Sequence, residues 1–218
     1  MKDIIILLGL PASGKGTQAA MLSEKFNYLN LSTGSLLREE IDNNTDVGKR
    51  VAGVINAGDL VPDKLMFEVL SKRMRHSSLD GFILDGFPRT VEQAEILSGY
   101  LASSNMRLKK VFVIELDEKT VLERICSRIT CKKCGAIYNT INKKPKVDGV
   151  CDVCGSTDLM NRNDDLNMKA IKKRIDIFKT NIGDIMSFYE KKSLIFSIDG
   201  LKDVKAINCE MIKALNCN

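Results

Sequence analysis

The chain opens with an apolar run, Ile4-Ile5-Ile6-Leu7-Leu8, that leads directly into Gly9-Leu10-Pro11-Ala12-Ser13-Gly14-Lys15-Gly16-Thr17. Residues 18–22, which follow, can start a helix. The order of buried strand, Gly-rich loop and helix is the setting that a P-loop requires. The strict P-loop pattern places Ser or Thr directly after the Lys, whereas here Gly16 stands between Lys15 and Thr17, and this variant narrows the choice of family.

A P-loop binds phosphate groups mainly through its backbone. Its glycines let N–H groups turn inward around phosphate oxygens, and the helix N-terminus adds a partial positive charge. Lys15 would bring a full charge to the β- and γ-phosphates, and the hydroxyl of Thr17 would reach the metal shell. The segment therefore predicts a nucleotide site, with an ordinary Gly-rich turn as the alternative.

Composition limits the remaining possibilities. The 218 residues are 44% hydrophobic, which is enough for one domain with insertions or for two small domains. The net charge of +5 suits anionic small molecules and is too weak to argue for nucleic acid. No apolar run approaches a membrane span, and Met1-Lys2-Asp3 leads straight into the first strand without room for a signal peptide, so we expect a cytoplasmic protein.

Alternating strand and helix patterns predict an α/β fold with a parallel sheet covered on both faces, which binds ligands at the carboxyl ends of its strands. The predicted strands are Ile4–Leu8, Tyr28–Leu31, Gly81–Leu84, Val111–Leu116 and Leu194–Ile198. The predicted helices include Gln18–Phe26, Lys64–Met74, Val91–Ser98, Glu118–Arg128 and Met168–Lys191. Two segments interrupt the alternation: residues 32–61 are polar and mostly helical, and residues 127–164 are rich in Cys, Gly and Lys with few helix signals.

The third predicted strand ends in Asp85-Gly86-Phe87-Pro88-Arg89. An Asp at a strand's carboxyl end near a P-loop lies where magnesium needs a carboxylate, and the Gly-Pro turn would aim Arg89 into the same crevice. Gln93 follows on the first turns of a helix, where its amide could read a base edge. The alternatives are a strand-terminal turn with a surface Arg and a solvated Gln.

Further arginines could surround a phosphoryl group, because phosphoryl transfer depends on charge stabilisation by several cations. Ser32-Thr33 can cap a helix on which Arg38 lies about one turn on. Arg124 and Arg128 are predicted on one face of the same helix, and Arg162 and Arg174 flank the end of the Cys-rich segment. Plain surface charge is the alternative for all of them.

Four cysteines form two knuckles, Cys131-x2-Cys134 and Cys151-x2-Cys154, with 16 residues between them. This spacing predicts a structural zinc site, because four thiolates close a tetrahedron and leave no position for substrate. The metal would replace a core in a segment too polar to fold by itself. A zinc ribbon that grips nucleic acid is the alternative. The other cysteines, Cys126, Cys209 and Cys217, show no partner spacing and are interpreted as small buried or surface thiols.

Together these residues resemble adenylate kinase, in the long form with a zinc-bearing lid that is typical of many bacteria. The resemblance covers essentially the whole chain. The segments that carry it are Gly14-Lys15-Gly16-Thr17-Gln18, Ser32-Thr33-Gly34, Asp59-Leu60-Val61-Pro62-Asp63, Asp85-Gly86-Phe87-Pro88-Arg89-Thr90, Gln93, the four cysteines, Arg162-x-Asp164-Asp165 and Asp199-Gly200.

The resemblance implies the P-loop nucleoside monophosphate kinase fold, a five-stranded parallel sheet flanked by helices with two inserted mobile segments. It implies reversible phosphoryl transfer from ATP to AMP, giving two ADP, and a role in adenine nucleotide homeostasis. Its implied ATP-binding residues are Ala12, Ser13, Gly14, Lys15, Gly16, Thr17, Arg124, Arg128, Ile137, Tyr138 and Lys202. Its implied AMP-binding residues are Thr33, Arg38, Asp59, Leu60, Val61, Gly86, Phe87, Pro88, Arg89, Gln93, Arg162 and Arg174. Transfer itself would use Lys15, Arg89, Arg128, Arg162 and Arg174.

The resemblance also implies cofactors and boundaries. Mg²⁺ would accompany ATP near Thr17 and Asp85, bound through water, and structural Zn²⁺ would occupy Cys131, Cys134, Cys151 and Cys154. The core would comprise residues 1–31, 62–126 and 165–218, the monophosphate-binding insertion residues 32–61 and the lid residues 127–164. We expect a monomer that binds neither nucleic acid nor membranes.

Three positions depart from the family pattern. Ala12 stands where Gly is usual, Ser35 replaces an acidic residue, and the interval from Asp165 to Arg174 is one residue longer than is typical. The last departure leaves open whether Lys173 or Arg174 contacts phosphate, and we favour Arg174 because its planar group can bind phosphate with two hydrogen bonds.

Alternative substrates within the same chemistry are GTP as donor and UMP or CMP as acceptor. Thr33 and Gln93 favour AMP, and the long cysteine-bearing lid argues against the short-lid pyrimidine kinases. A nucleic-acid-binding P-loop protein is the alternative from a different class. It is disfavoured because the lid has a single aromatic residue, Tyr138.

Overall fold

The computed structural model describes residues 1–141, 143–162 and 165–216. Along the chain the elements are β1 (Lys2–Gly9), α1 (Lys15–Phe26), β2 (Leu29–Ser32), α2 (Thr33–Asp42), α3 (Asp46–Asn56), α4 (Asp63–Arg75), β3 (Gly81–Asp85), α5 (Val91–Ser103), β4 (Met106–Glu115), α6 (Glu118–Cys126), β5 (Arg128–Cys131), β6 (Ile137–Asn139), β7 (Leu159–Met160), α7 (Met168–Glu190), β8 (Ile195–Asp199) and α8 (Val204–Asn216).

The central sheet is parallel and has the strand order β2-β3-β1-β4-β8. Its strands read as continuous apolar runs because both faces are covered. Ile4, Ile6 and Leu8 of β1 pack toward α4, α5 and α7, while Ile5 and Leu7 pack toward α1 and α8. The predicted fold class and the five predicted strands are therefore confirmed.

Strand β4 begins at Met106, five residues before the predicted start at Val111. The hydrophobic pattern did not reveal this extension, because the extension contains charged residues. Arg107 and Lys109 both pair with Asp3, at N–O distances of 2.6 and 3.5 Å, so the extension lies against the start of β1.

The prediction that one helix carries both Arg124 and Arg128 is wrong. Helix α6 ends at Cys126, and Arg128 is the first residue of β5, where it pairs with Asn139. Ser127 ends the helix: its hydroxyl donates to the carbonyl of Glu123 at 2.7 Å, and its own carbonyl accepts from the N–H of Thr140 at 2.8 Å. The two arginines therefore do not share a helix face.

The two segments that interrupt the alternation of strands and helices differ in secondary structure. Residues 32–61 contain α2 and α3, as predicted, and residues 127–164 contain a small antiparallel sheet of order β6-β5-β7. Of the helices that the structure describes, none combines the length and apolar composition needed to cross a bilayer.

Helix α3 packs so closely on α2 that one glycine is required. A Cβ on Gly48 would lie 2.1 Å from the carbonyl oxygen of Glu40, whereas a Cβ on Gly53, in the same helix, would have no neighbour within 4 Å. Backbone atoms cannot yield as a side chain can, so the two positions should respond to substitution in opposite directions.

We expect Gly48→Ala to lower the free energy of unfolding by about 1–3 kcal/mol because of this overlap. Gly53→Ala should raise it by about 0.5–1 kcal/mol, since Ala loses less conformational entropy in a helix. Urea unfolding followed by circular dichroism measures both. Equal stabilisation by the two substitutions would show that α2 and α3 are not in the described contact.

Candidate functional site

A crevice forms where the connections of β1 and β3 leave the sheet in opposite directions. β1 leads into α1, on one face, and its neighbour β3 leads into α5, on the other. Such a point in an open α/β sheet is where ligands bind. Gly9 and Asp85, the last residues of the two strands, lie at its edge.

The loop after β1 surrounds the ammonium of Lys15. Its Nζ donates to the carbonyls of Gly9 and Leu10, at 2.8 and 2.7 Å, and contacts the hydroxyl of Ser13 at 3.3 Å. Gly14 precedes α1 with φ of +104°, a conformation that favours glycine. Ala12 adopts φ of +57°, which costs a residue with a Cβ about 1–2 kcal/mol.

The electrostatic surroundings of Lys15 show which charges converge on the loop. Removal from water lowers the pKa of Lys15 to about 8, the carboxylate of Asp85 opposes this effect, and Arg89, Arg128 and Arg174 add to it. Lys15 and three arginines thus surround the carboxylate of Asp85, and two of these arginines, Arg128 and Arg174, are also paired with Asp165. Such a centre suits a ligand that carries several negative charges.

Asp85 lies beside the start of α1. Its Oδ2 is 3.5 Å from where a Cβ would lie on Gly16, next to Thr17. Hydroxyl and carboxylate oxygens are the ligand atoms that Mg²⁺ prefers, so Thr17 and Asp85 fit a magnesium ion that reaches the protein through its water shell.

A pocket opens between the first insertion and the core. Three arginines with apolar and backbone groups form its wall, and the lining residues are Thr33, Gly34, Leu37, Arg38, Ile55, Gly58, Asp59, Leu60, Val61, Arg89, Gln93 and Arg174. A mixture of cations with Leu, Ile and Val suits a ligand with a phosphate at one end and a flat base at the other. The structure therefore brings together most of the residues expected to bind AMP.

Arg89 is held by the turn that precedes it. Its Nε donates to the carbonyl of Gly86 at 2.8 Å, and its Nη2 donates to the hydroxyl of Thr33 at 3.3 Å. Phe87 is fully buried and packs against Phe67, with ring centroids 6.3 Å apart. The residues Gly86, Phe87 and Pro88 thus shape and anchor the turn.

The amide of Gln93 is bonded at both ends within the protein. Its Oε1 accepts from the N–H of Arg89, and its Nε2 donates to Asp63, each at 2.7 Å. Thr90 also donates to Asp63, at 3.0 Å. Gln93 lines the pocket but here orients the Arg89 turn, so its expected role in reading a base stays a prediction.

Asp165 joins two arginines from different elements. Arg128 Nε and Nη2 donate to its carboxylate at 2.7 and 2.5 Å, and Arg174 Nη1 approaches it at 3.5 Å. The Asp165 side chain is only 2% exposed. The fork of Arg128 matches the two carboxylate oxygens, which fixes its direction. Asp164, the preceding residue of the motif, lies outside the described residues.

Arg174 and Lys173 point to different partners. Arg174 lines the pocket, whereas Lys173 pairs with Asp59 of the first insertion at 2.5 Å. Arg162 donates from Nε to the hydroxyl of Thr130 at 3.1 Å, within the second insertion. Arg174 as the phosphate contact stays a prediction, and of the two residues it is the one that lines the pocket.

Four further residues are expected to bind ATP: Ile137, Tyr138, Arg124 and Lys202. The Cδ1 of Ile137 lies 3.5 Å from where a Cβ would lie on Gly16, so β6 reaches the start of α1. Tyr138, the next residue, is buried inside the second insertion. Arg124 donates to the carbonyl of Gly200 at 3.1 Å, and Lys202 pairs with Glu210 at 2.7 Å.

The four cysteines of the two knuckles converge. Their sulfur atoms all lie within 4.8 Å of one another, with 3.6 Å between Cys131 and Cys154 and 3.5 Å between Cys134 and Cys151. Sulfurs bound to one zinc at about 2.3 Å lie about 3.8 Å apart, so the cluster fits that metal. Without a metal, the pKa values of the thiols diverge: the hydrogen bond with Tyr138 lowers the pKa of Cys151, and burial raises the pKa of Cys134 to about 12.

The sequence did not single out Asp63, Asp165 or Lys173 as orienting residues. Asp63 and Asp165 stand inside segments that carried the family resemblance, which was the available signal. Lys173 had no such signal, because its pairing with Asp59 joins residues that are far apart in the chain.

Comparison with known proteins gives one family. The model of the family described as adenylate kinase matches residues 7–194. The chain is 38% identical to the adenylate kinase of Caldicellulosiruptor saccharolyticus over 212 residues, 97% of this chain and 98% of the relative. It is 41% identical to that of Kosmotoga olearia over the same shares, and 38% identical to that of Archaeoglobus fulgidus over 93% of each chain.

We expect Asp165→Asn to lower the free energy of unfolding by about 3–5 kcal/mol, because it leaves the Arg128 side chain, only 8% exposed, without its counter-charge. The matched control is Glu39→Gln, whose partner Arg73 is 42% exposed, and which should cost less than about 1 kcal/mol. Urea unfolding measures both. Similar small losses would show that Asp165 does not hold a buried pair.

Proposed function

The chain belongs to the adenylate kinase family, and we propose that its crevice holds ATP at the P-loop and AMP in the arginine-lined pocket. As a member of this family it is an enzyme that transfers the terminal phosphoryl group of ATP to AMP, reversibly, giving two ADP. The reaction interconverts ATP, ADP and AMP and thereby maintains their relative concentrations.

One observation carries the assignment of the two sites. Arg89 and Arg174 line the pocket of the first insertion, and the same two residues act electrostatically on Lys15 in the P-loop. An acceptor phosphate in the pocket and a donor phosphate at the loop would therefore share these cations. Transfer between two nucleotides requires such a shared region, because the reacting oxygens must approach within about 3–3.5 Å.

The residues act by positioning and by charge. Lys15 lies against the phosphates of ATP, and Arg89 and Arg174 hold these phosphates in line with the phosphate of AMP. Arg128, directed by Asp165, adds charge from the lid side, and Arg162 joins it when the lid moves inward. The charge that spreads over the transferred group is then stabilised by groups already in place, which is the main work of a phosphoryl-transfer enzyme.

The pocket wall accounts for the choice of acceptor. Leu37, Ile55 and Val61 offer apolar surface to a base, Thr33 and the backbone of residues 59–61 offer hydrogen bonds, and Arg38 faces the pocket as a further cation. We propose AMP as the preferred acceptor. Gln93 would read the base only after exchanging its bond to Asp63 for one to the ligand.

Adenylate kinases use Mg²⁺ with ATP, and the bound ion neutralises phosphate charge. We propose that Thr17 and Asp85 orient it through water. The four clustered cysteines would hold a structural Zn²⁺ in the lid. A metal would compensate for a small apolar core, because among the described residues of the lid the buried apolar cluster consists of Cys131, Tyr138 and Cys151.

We further propose that residues 32–61 and 127–164 move as separate units on a core of residues 1–31, 62–126 and 165–218. The compact helix pair and the small sheet support these boundaries. We also propose that the protein is a monomer. Cys126 and Cys209 are free exposed thiols, which supports a reducing, cytoplasmic location.

A coupled assay with ATP and each of AMP, GMP, CMP and UMP tests the function, with GTP as a second donor. We expect AMP with ATP to be the best pair. Lys15→Met should lower kcat by about a thousandfold, because the charge acts mainly in the transition state. Lys25→Met, in the last turn of the same helix, is the control and should keep normal kcat. A pyrimidine preference would overturn the acceptor assignment, and an active Lys15→Met the P-loop assignment.

Metal analysis tests the zinc assignment. We expect one zinc per chain, lost in Cys134→Ser and retained in the control Cys209→Ser. Because the metal lies in a closed site and supports only the lid, chelation should lower thermal stability while leaving substantial activity at low temperature. Immediate loss of activity with the lid still folded would mean that the metal takes part in the chemistry.

A further inference from the structure

Tyr138 lies in the core of the lid, in contact with the cysteine cluster. It lies on β6, is 4% exposed, and packs with Cys131 and Cys151 in the core of the lid. Its hydroxyl oxygen lies 3.4 Å from the sulfur of Cys151 and 2.7 Å from the backbone nitrogen of Asp152. Both partners belong to the second cysteine knuckle.

The two contacts determine where the hydroxyl proton points. The backbone N–H of Asp152 can only donate, so the oxygen of Tyr138 must accept in that bond. The hydroxyl has one proton of its own, and the remaining partner within reach is the sulfur of Cys151. A sulfur that is a metal ligand carries negative charge and accepts hydrogen bonds, whereas it cannot donate one.

We infer that Tyr138 is a positioning residue for the lid metal, which donates its hydroxyl proton to the thiolate of Cys151 and ties that knuckle to β6. The inference rests on the proposed zinc site. Partners behind metal ligands commonly fix the direction of a ligand and tune its charge, and their loss lowers metal affinity by about 10–100-fold.

Strand β6, which contains Tyr138, also reaches the site proposed for ATP. Side chains alternate along a strand, so Tyr138 points into the lid while Ile137 points out of it. Ile137 approaches Gly16, in the first turn of α1, through its Cδ1. The Tyr138–Cys151 bond therefore fixes the outward face of β6 against the loop that holds the donor phosphates, which gives Tyr138 a structural role in place of direct nucleotide contact by its side chain.

Tyr138→Phe tests the inference, because it keeps the ring and removes the hydroxyl. The control is Tyr100→Phe, in helix α5 of the core, where the ring packs against Phe67 at a centroid distance of 5.3 Å. Both full-length proteins are loaded with Zn²⁺, and metal release into excess chelator is followed at a temperature at which circular dichroism shows both to be folded. We expect release at least about tenfold faster from Tyr138→Phe than from Tyr100→Phe.

Substitution with Co²⁺ gives a second measurement that does not depend on activity. Loss of the hydrogen bond should shift the thiolate-to-cobalt absorption band of Tyr138→Phe, while the spectrum of Tyr100→Phe should match that of the unmodified chain. We also expect KM for ATP to rise more than kcat falls, because β6 contacts the donor loop. A band and a release rate unchanged in Tyr138→Phe would overturn the inference and leave the zinc site standing. Failure of the unmodified chain to bind zinc would instead overturn the zinc site itself.

Discussion

The partly buried positive charge of Lys15 is the constraint around which the nucleotide site is built. Its ammonium is held by the carbonyls of Gly9 and Leu10, which the loop can present only because the backbone at Ala12 and Gly14 takes left-handed conformations. Asp85 supplies one opposing charge, and three arginines add further positive charge. A site with this balance of charges is stabilised by anionic ligands, so it favours the binding of phosphates.

Helix α7 connects the parts of the site that come from distant regions of the chain. Its first two turns carry Ala170, Lys173 and Arg174. The carbonyl of Ala170 lies 2.5 Å from where a Cβ would lie on Gly58, and Lys173 pairs with Asp59, so the end of the first insertion lies against this helix. Arg174 faces the pocket on one side and Asp165 on the other. A displacement of the first insertion or of Asp165 would therefore change the surroundings of Arg174.

The lid is organised differently from the core. The central sheet buries apolar side chains on both faces, whereas the lid relies on a cluster of sulfur atoms and one tyrosine. A metal bound by the four cysteines would hold the two knuckles together, which would compensate for the small apolar area of this sheet. Ile137 lies on the outward side of β6 and approaches the start of α1.

The sequence by itself determined the α/β class, the five core strands, the P-loop, the turn after β3 and the cysteine cluster. Each of these depends on residues close together in the chain, or on apolar runs that only a buried strand explains. The sequence misplaced Arg128, because Ser127 and Arg128 pair with Thr140 and Asn139, residues further along the chain, and this pairing ends the helix. The tertiary structure alone decided the pairing of Asp165 with Arg128 and Arg174, the bonding of Gln93 to Asp63, and the inward direction of Tyr138. These are contacts between residues separated by 9 to 37 positions, and no local pattern specifies them, because the direction of a side chain depends on which face of its element the rest of the fold covers.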